Sequence, residues 1–495
     1  MGQHLDAEFL SAPLTECAEA ALSAAEAMGA GFADIRVMTT TSSAVTVRDR
    51  SLENSINDLV TGVGVRVLVD GTWGFAATTD VRPEAATTVA QQAVALARAS
   101  RALTTTPVEL AAEPVHRGTW VADYLVDPTG VPVREVADLL LDWSDLLLQS
   151  SGVSHTSCSF SGVKEQTFYA NSDGAYLTQQ RVRCHPEATA VSVGESGFED
   201  MTTTAPPVGR GWEYAVEPHW STELSELPTH LAEKVAAPPL DPGRYDLVIH
   251  PSNLWLTIHE SVGHATEYDR AIGLEANYAG TSFATPDLLG TLRYGSDLMN
   301  VTGDRTTPAG LSTVGWDDEG VAAQEWDLVR EGLLVGYQLD RAGAARLGVE
   351  RSNGCAYGDA ATSVPLQRMP NVSLRADPRG ADLAGLVGGV TDGVLVVGDK
   401  SWSIDMARYN FQFTAQRFYR IINGRLAGQV KDIAYQSSTP AFWNSLAAVG
   451  DADTFVLGGA LNCGKGQPGQ VAAVSHGCPA AVFEDVNILA AGGAL

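Results

Sequence analysis

The sequence predicts an α+β protein, with small N-terminal α+β domains followed by a large β-rich C-terminal domain that carries a metal-binding helix. Three observations predict it. Ala-rich amphipathic stretches bracket β-branched runs in the first hundred residues; the second half is dominated by alternating runs broken at glycines; and one helical segment in that half, IHESVGHATEYD (258–269), sets two histidines and several acids among apolar residues. A chain of 495 residues exceeds what one core organises, so two or three domains are expected, at 14–105, 118–228 and 236–490.

Residues 14–29 (LTECAEAALSAAEAMG) predict a helix closed by glycine, and 83–100 (PEAATTVAQQAVALARAS) a second. Three strands are predicted between them, ADIRVMTTTS, SAVTVRDRSLENSI and GVGVRVLVDGTWGFAAT, the last folded back at Asp70-Gly71. A polar linker (104–118) leads to an amphipathic helix at 132–150, whose Leu139, Leu140, Trp143 and Leu147 form a core stripe. Alternation over 153–194 with the turn Asn171-Ser172-Asp173-Gly174 predicts antiparallel strands. His155, Cys184 and His185 lie there and are read as structural. A helix from Pro228 and a Pro-rich turn then introduce the third domain.

The strand YDLVIH (245–250) feeds Pro251-Ser252-Asn253, where Ser252 or Asn253 can cap a helix. Trp255, Ile258 and Val262 recur at helical spacing, with His259, Glu260 and His264 beside them. The spacing is H-E-x-x-x-H, so the histidines stand about 140° apart on an ideal helix, too far to share an ion. A π-bulge near Gly263 would realign them, and a bulged helix over about 254–268 is predicted. Glu260, next to the first histidine, is placed to act as general base on a metal-activated water.

Beyond the helix, Asp317-Asp318-Glu319-Gly320 offers either a hard-cation site or a solvated turn, and Arg368 either a substrate anchor or an internal pair. In 390–432, Tyr409, Phe411 and Phe413 alternate onto one sheet face, Asn423-Gly424 makes a hairpin, and the sheet offers an edge for an extended peptide. Near the end, LNCGKGQPGQVAAVSHGCP contains Cys463, His476 and Cys478. A hydrolytic zinc takes three protein ligands and keeps one position open. His259 and His264 are two, and Cys463, Glu267, His476 and Cys478 are the candidates for the third.

The string H-E-S-V-G-H followed by Glu267 and Asp269, together with GVGVRVLVDGTWGFAAT, Asp317-Asp318-Glu319-Gly320, Arg368-Met369-Pro370-Asn371 and Cys463-Gly464-Lys465, resembles the TldD/PmbA family, and specifically its metal-bearing TldD-type members. The turn Gly464–Gly469 departs from the family's. The resemblance implies Zn2+ held by His259, His264 and Cys463, hydrolysis of short or unfolded peptides held extended in a closed channel, and a heterodimer with a metal-free homologue, or a homodimer. Two alternatives are a peptide-binding or assembly subunit with a structural zinc, and metal-free hydrolysis by Cys463.

Family members have also been called modulators of DNA gyrase. The net charge of −27, from 59 acidic and 32 basic residues, argues against direct nucleic-acid contact. No apolar run approaches the ~18–20 residues of a membrane span, and MGQHLDAEFL lacks the features of a secretory signal. Cys17, Cys158, Cys184, Cys355, Cys463 and Cys478 include no C-x-x-C pair, so reduced thiols and a cytoplasmic location are expected.

Overall fold

The computed structural model describes residues 4–194, 197–466 and 468–490. One sheet spans both N-terminal units: β1 (Phe32–Arg48), β2 (Ser51–Val69), β3 (Thr72–Thr78), β4 (Arg117–Val121), β5 (His155–Asn171), β6 (Tyr176–Gly194) and β7 (Gly197–Thr202). Its order is β3-β2-β1-β5-β6-β4, with β7 on β6. β1 pairs with β2 on one side and with β5 on the other along nearly its whole length. The linker at 104–118 therefore divides two helical layers laid on one sheet.

Both layers cover the same face. Ile35, Val37, Phe168 and Ala170 pack under the helices Leu14–Ala27 and Pro83–Ser100. Val45, Val47, Cys158 and Phe160, at the same alternation but further along β1 and β5, pack under Val133–Leu148 and His219–Ala236. Leu140, Trp143 and Leu147 are buried as predicted, and Leu139 packs at the margin. The strand boundaries differ from expectation: β1 runs unbroken to Arg48 and turns at Asp49-Arg50, both left-handed (φ 48° and 64°), a two-residue hairpin without its usual glycine. The helix expected from Pro228 starts instead at His219 and runs through that proline, because Trp220, Leu224, Leu227 and Leu231 hold one apolar stripe to the core.

The opposite face is ionic and buried against the C-terminal part. Arg36 pairs with Asp318, Arg66 with Asp34 and Glu319, and Glu165 with Arg181 and Arg183 while accepting from the Tyr357 hydroxyl at 3.0 Å. The acidic turn is thus neither a cation site nor solvated. Asp317 accepts from the amides of Glu319, Val321 and Ala356, each at 2.9 Å, and Glu319 also accepts from Arg341 N–H.

In the C-terminal part, the strand β8 (Gly243–Ile249) lies between Asp392–Ile404, its parallel neighbour, and Ala481–Ala490. The order continues through Ile433–Ser438 and Asn410–Ile422, and Asn410–Ile422 pairs back onto Asp392–Ile404, closing five strands on themselves. Phe411, Phe413, Tyr435, Phe442 and Phe483 belong to the core beside it. Tyr409 is exposed, because it precedes the strand in a tight turn. The strand of Phe411 and Phe413 is paired on both sides, and among the described residues the sheet's open edge lies instead at Arg425–Val430, which pairs only with Asn410–Ile422. A separate hairpin joins Val456–Lys465 to Gln470–Cys478, and among the described residues Val456–Lys465 pairs with no other strand. No helix among the described residues is long and apolar enough to cross a membrane.

Burial pushes the Glu165 carboxyl up, but Arg181 and then Arg183 outweigh it and bring it from 4.5 down to about 2. The folded value lies below the unfolded one, so this group stabilises the fold above pH 4.5 and ceases to as the pH falls towards 2. We expect Glu165→Gln, which leaves two buried guanidiniums without their anion, to lower unfolding free energy by ~3–5 kcal/mol near neutral pH. In denaturant titrations the gap from wild type should close between these two pH values; a gap independent of pH would show the ion pairs to be unimportant.

Candidate metal centre

Strand β8 runs directly into the helix Pro251–Ile258. His250 is its N-cap, with Nδ1 accepting from Ser252 N–H at 3.2 Å. Ser252 and Asn253 lie inside the first turn instead, since Pro251 occupies the first helical position and moves the cap one residue back. After Ile258 the winding changes: His259–Gly263 form a π turn and His264–Thr266 a 3-10 turn. The predicted bulge is present. The added residue brings the His259 and His264 rings to 4.6 Å between centroids.

Changing the winding frees backbone carbonyls, and side chains both distant and local take them up. The Tyr294 hydroxyl donates to Ser261 O, Gln338 Nε2 to Gly263 O, and Thr266 Oγ1 to Val262 O at 2.8 Å. Gly263 was expected to absorb a backbone distortion, yet its dihedrals are right-handed (φ −52°, ψ −60°). Glycine instead gives space to a neighbour: a Cβ there would stand 2.6 Å from Met369 Sδ, and that side chain would have to shift.

Cys463 arrives from the strand Val456–Lys465, whose register slips between Ala460 and Cys463. It lies in the strand, after this irregularity, rather than in the glycine turn. Arg368 holds its backbone, donating to Cys463 O at 2.5 Å and Gln470 O at 3.3 Å; this arginine is buried and serves the hairpin, not a substrate. His259, His264 and Cys463 each offer one ligand atom, all within 4.8 Å of one another. All three side chains are buried.

The other candidates stand behind these donors. Glu267 accepts from His264 Nδ1–H at 2.7 Å, from Arg270 Nε at 3.0 Å and from Lys465 Nζ at 3.2 Å. Its bond fixes the His264 tautomer that leaves Nε2 facing the Cys463 thiol, 3.6 Å away. His476 stands in the same way behind His259, Nε2 to Nδ1 at 2.7 Å. Cys478 is remote from the cluster and bonds weakly to Pro251 O at 3.7 Å.

Burial alone raises a thiol, and it pushes Cys17 to about 11 and Cys158 and Cys355 to about 12. At Cys463 burial is outweighed by His264 and Arg368, which bring it below the ordinary thiol value. At Glu260 burial is likewise outweighed by His264, His259 and Arg408, so its carboxyl is held below the usual range. Arg408 Nη1 donates to Glu260 Oε2 at 2.7 Å. Sequence reasoning missed Arg408, which no motif marks, and missed Gln338, Arg270 and Lys465 as supports.

Beside the cluster lies a groove of about 590 Å³, between Thr202–Pro207 and the strand residues preceding Cys463; Trp255, Asp399, Trp402 and Asn462 line it. His185 also borders it, and burial takes its imidazole down to about 4. His155 is exposed on Asp49, and Cys184 is a core thiol. In the turn after Lys465, Gln467 lies outside the described residues.

Three family models match the chain: the PmbA/TldA metallopeptidase C-terminal domain over residues 242–490, domain 1 over 33–97 and the central domain over 126–237. A metalloprotease of Methanothermobacter thermautotrophicus is 28% identical over 454 residues, covering 90% of this chain and 93% of its own. A zinc metalloprotease TldD homolog of Saccharolobus solfataricus is 26% identical over 241 residues, 48% of this chain and 49% of that protein. The crystal structure of TldE from Thermococcus kodakarensis shares the fold, with a TM-score of 0.73 at 15% identity, covering 95% of this chain and 99% of that one.

For a metal held by the three clustered donors, we expect Glu267→Gln to preserve stoichiometry at saturation while weakening affinity ~10–100-fold, measured by competition with a chelator. Complete loss of binding would instead make Glu267 a ligand.

Proposed function

Because the chain belongs to the PmbA/TldD metallopeptidase family, we propose that it is a zinc-dependent peptidase of short or unfolded peptides, with His259, His264 and Cys463 as metal ligands and Glu260 as general base. The observation that carries this reading is the convergence of two imidazoles and one low-lying thiol at the side of a groove, with an ionised carboxylate next in sequence to the first histidine. Two imidazole nitrogens and a thiolate are a donor set that suits zinc and disfavours magnesium or calcium. Three such donors leave a position for water or substrate. When bound, the metal supplies a Lewis acid that polarises a carbonyl and acidifies water.

The remaining work falls to this chain's own groups. Glu260, kept ionised by its neighbours, accepts a proton at its carboxylate and later returns it to the leaving amine. Arg408 holds that carboxylate in place from one side. Glu267 and His476 keep proton-bearing nitrogens of the two histidines turned away from the donor cluster. An extended peptide lies in the groove along Val456–Asn462, where a strand edge offers backbone groups for pairing. A groove of about 590 Å³ between two parts of the molecule suits an extended chain better than a folded protein.

From the family resemblance we carry over a partnership with a metal-free homologue, or a homodimer. Six free thiols support a cytoplasmic location, and the net charge disfavours nucleic acid as a partner. The structural-zinc alternative needs a fourth protein donor, and Glu267 and His476 are both engaged on the far nitrogens instead. A second reading has one observation in its favour: Cys463, His264 and Glu267 stand in line as a thiol, an imidazole and an orienting carboxylate, the order of a cysteine hydrolase.

The two readings separate in one experiment, in which metal content and cleavage of an unstructured peptide are measured together. We expect wild type to hold one equivalent of zinc and lose activity to a chelator, Cys463→Ala to lose both zinc and cleavage, and Glu260→Gln to keep zinc while cleavage falls ~10²–10⁴-fold. Cleavage that survives chelation would establish the thiol mechanism. Turnover retained in Glu260→Gln would remove Glu260 as the base.

A further inference from the structure

The two histidines of the centre rest on groups of different kind. His264 rests on a carboxylate, Glu267, whereas His259 rests on a second imidazole. We propose that His476 is a positioning residue that fixes His259 in the tautomer with its lone pair on Nε2, and that it does so without being a ligand itself. The proposal rests on reading His259, His264 and Cys463 as the metal donors, and adds to it the group that aims the first of them.

The argument is one of proton placement along a chain of three groups. Val372, in the strand Asn371–Leu374, presents a backbone carbonyl 3.0 Å from His476 Nδ1. A carbonyl only accepts, so Nδ1 of His476 carries the hydrogen. In a neutral imidazole the other nitrogen then has the lone pair, and His476 Nε2 is an acceptor. It lies 2.7 Å from His259 Nδ1, which must therefore be the donor. The lone pair of His259 is left on Nε2. Each step follows from the previous one, and the first is set by the backbone, which cannot change its role.

Packing keeps the relay in register. His476 is fully buried in the hairpin opposite Gly458, with the Trp255 ring nearly parallel to it (12°, centroids 6.2 Å apart). On another side Gly263 packs close: a Cβ built there would stand 3.5 Å from His476 Cε1, an ordinary van der Waals contact. Turning the ring over would replace both nitrogens with carbon and break two hydrogen bonds at once. Both nitrogens of His476 are occupied as they stand, one by a carbonyl and one by His259, so neither is available to a metal. Fixing ligand orientation from behind in this way commonly changes metal affinity by ~10–100-fold.

Zn2+ and Co2+ binding to the full chain, compared between wild type, His476→Gln and His476→Leu, tests this. Glutamine keeps an acceptor for His259 N–H and a donor for Val372 O, and glutamine is a poor metal ligand. We expect His476→Gln to bind zinc within about threefold of wild type and His476→Leu to bind ~10–100-fold more weakly, with one equivalent at saturation and an unchanged Co2+ absorption spectrum in both. A His476→Gln protein as impaired as His476→Leu, with an altered Co2+ spectrum, would make His476 a ligand and overturn the proposal; so would wild-type affinity in His476→Leu. Nitrogen-15 spectra of the histidines in metal-free wild type provide a test that does not depend on a variant folding: both His476 and His259 are expected to carry hydrogen on Nδ1, and hydrogen on Nε2 of His259 would overturn it. Absence of metal uptake by wild type would sink the metal reading itself, a result separate from any difference among the variants.

Discussion

Two side chains five residues apart on an α-helix point about 140° away from one another, so His259 and His264 share one site only because residues 259–263 wind as a π turn. That winding is held by groups scattered through the chain. Tyr294 and Gln338 take up carbonyls of Ser261 and Gly263, and Trp443 donates to Ser261 Oγ at 2.9 Å. An unpaired buried carbonyl carries a penalty of ~1–3 kcal/mol. The turn persists because these donors are in place, and the donors are placed by the surrounding strands and loops. The winding that brings the two histidines together is therefore a product of the whole C-terminal part rather than of its own sequence.

Charge follows the same rule of local compensation. The protein carries a large negative excess, yet many of its buried carboxylates meet a cation. Glu267 meets His264, Arg270 and Lys465, and Lys465 meets Asp269 at 2.8 Å. On the N-terminal sheet Arg36, Arg66, Arg181 and Arg183 play the complementary part towards Asp318, Glu319 and Glu165. Replacing such sets by apolar residues would often be neutral for stability. What they supply here is direction: each fixes an angle between two elements, and the set around Glu267 fixes the angle of an imidazole.

Elements with a strong period were legible in the sequence. The helices at 14–27, 83–100 and 133–148 announced themselves by their apolar stripes, and the odd histidine spacing announced the π turn. What could not be read follows a pattern too. The alternating residues of β1 and β5 have two buried faces, one apolar and one ionic, so Arg36 and Glu165 look like solvated positions until the C-terminal part covers them. The acidic turn at 317–319 was open to misreading for the same reason. Pro228 looked like a helix start, because a local breaker signal was weighed without the tertiary stripe that overrides it. Within the site, Glu267 and His476 were recognisable as ligand-type residues, but only the fold decides whether such a residue joins the donor cluster or stands behind it. Arg408 had no signal at all.

Arg408 shows how the site and the fold divide the work. It lies at φ 60° in the turn Asp405–Tyr409, a left-handed conformation that a side chain with a Cβ adopts at some expense. Asp405 clamps the turn by accepting from the amides of Ala407, Tyr409 and Asn410. The guanidinium then reaches Glu260 with Nη1 and Ala279 O with Nη2, while its Nε is buried without a partner among the described residues. A strained backbone and an unsatisfied donor on one residue are not what packing alone selects, since glycine would relieve the first and a shorter side chain the second. They are tolerated where the group has a task set by its neighbour. Here the neighbour is a carboxylate that burial would otherwise protonate; His264 and His259 do most to keep it ionised, and the arginine adds to them while orienting it beside the clustered donors.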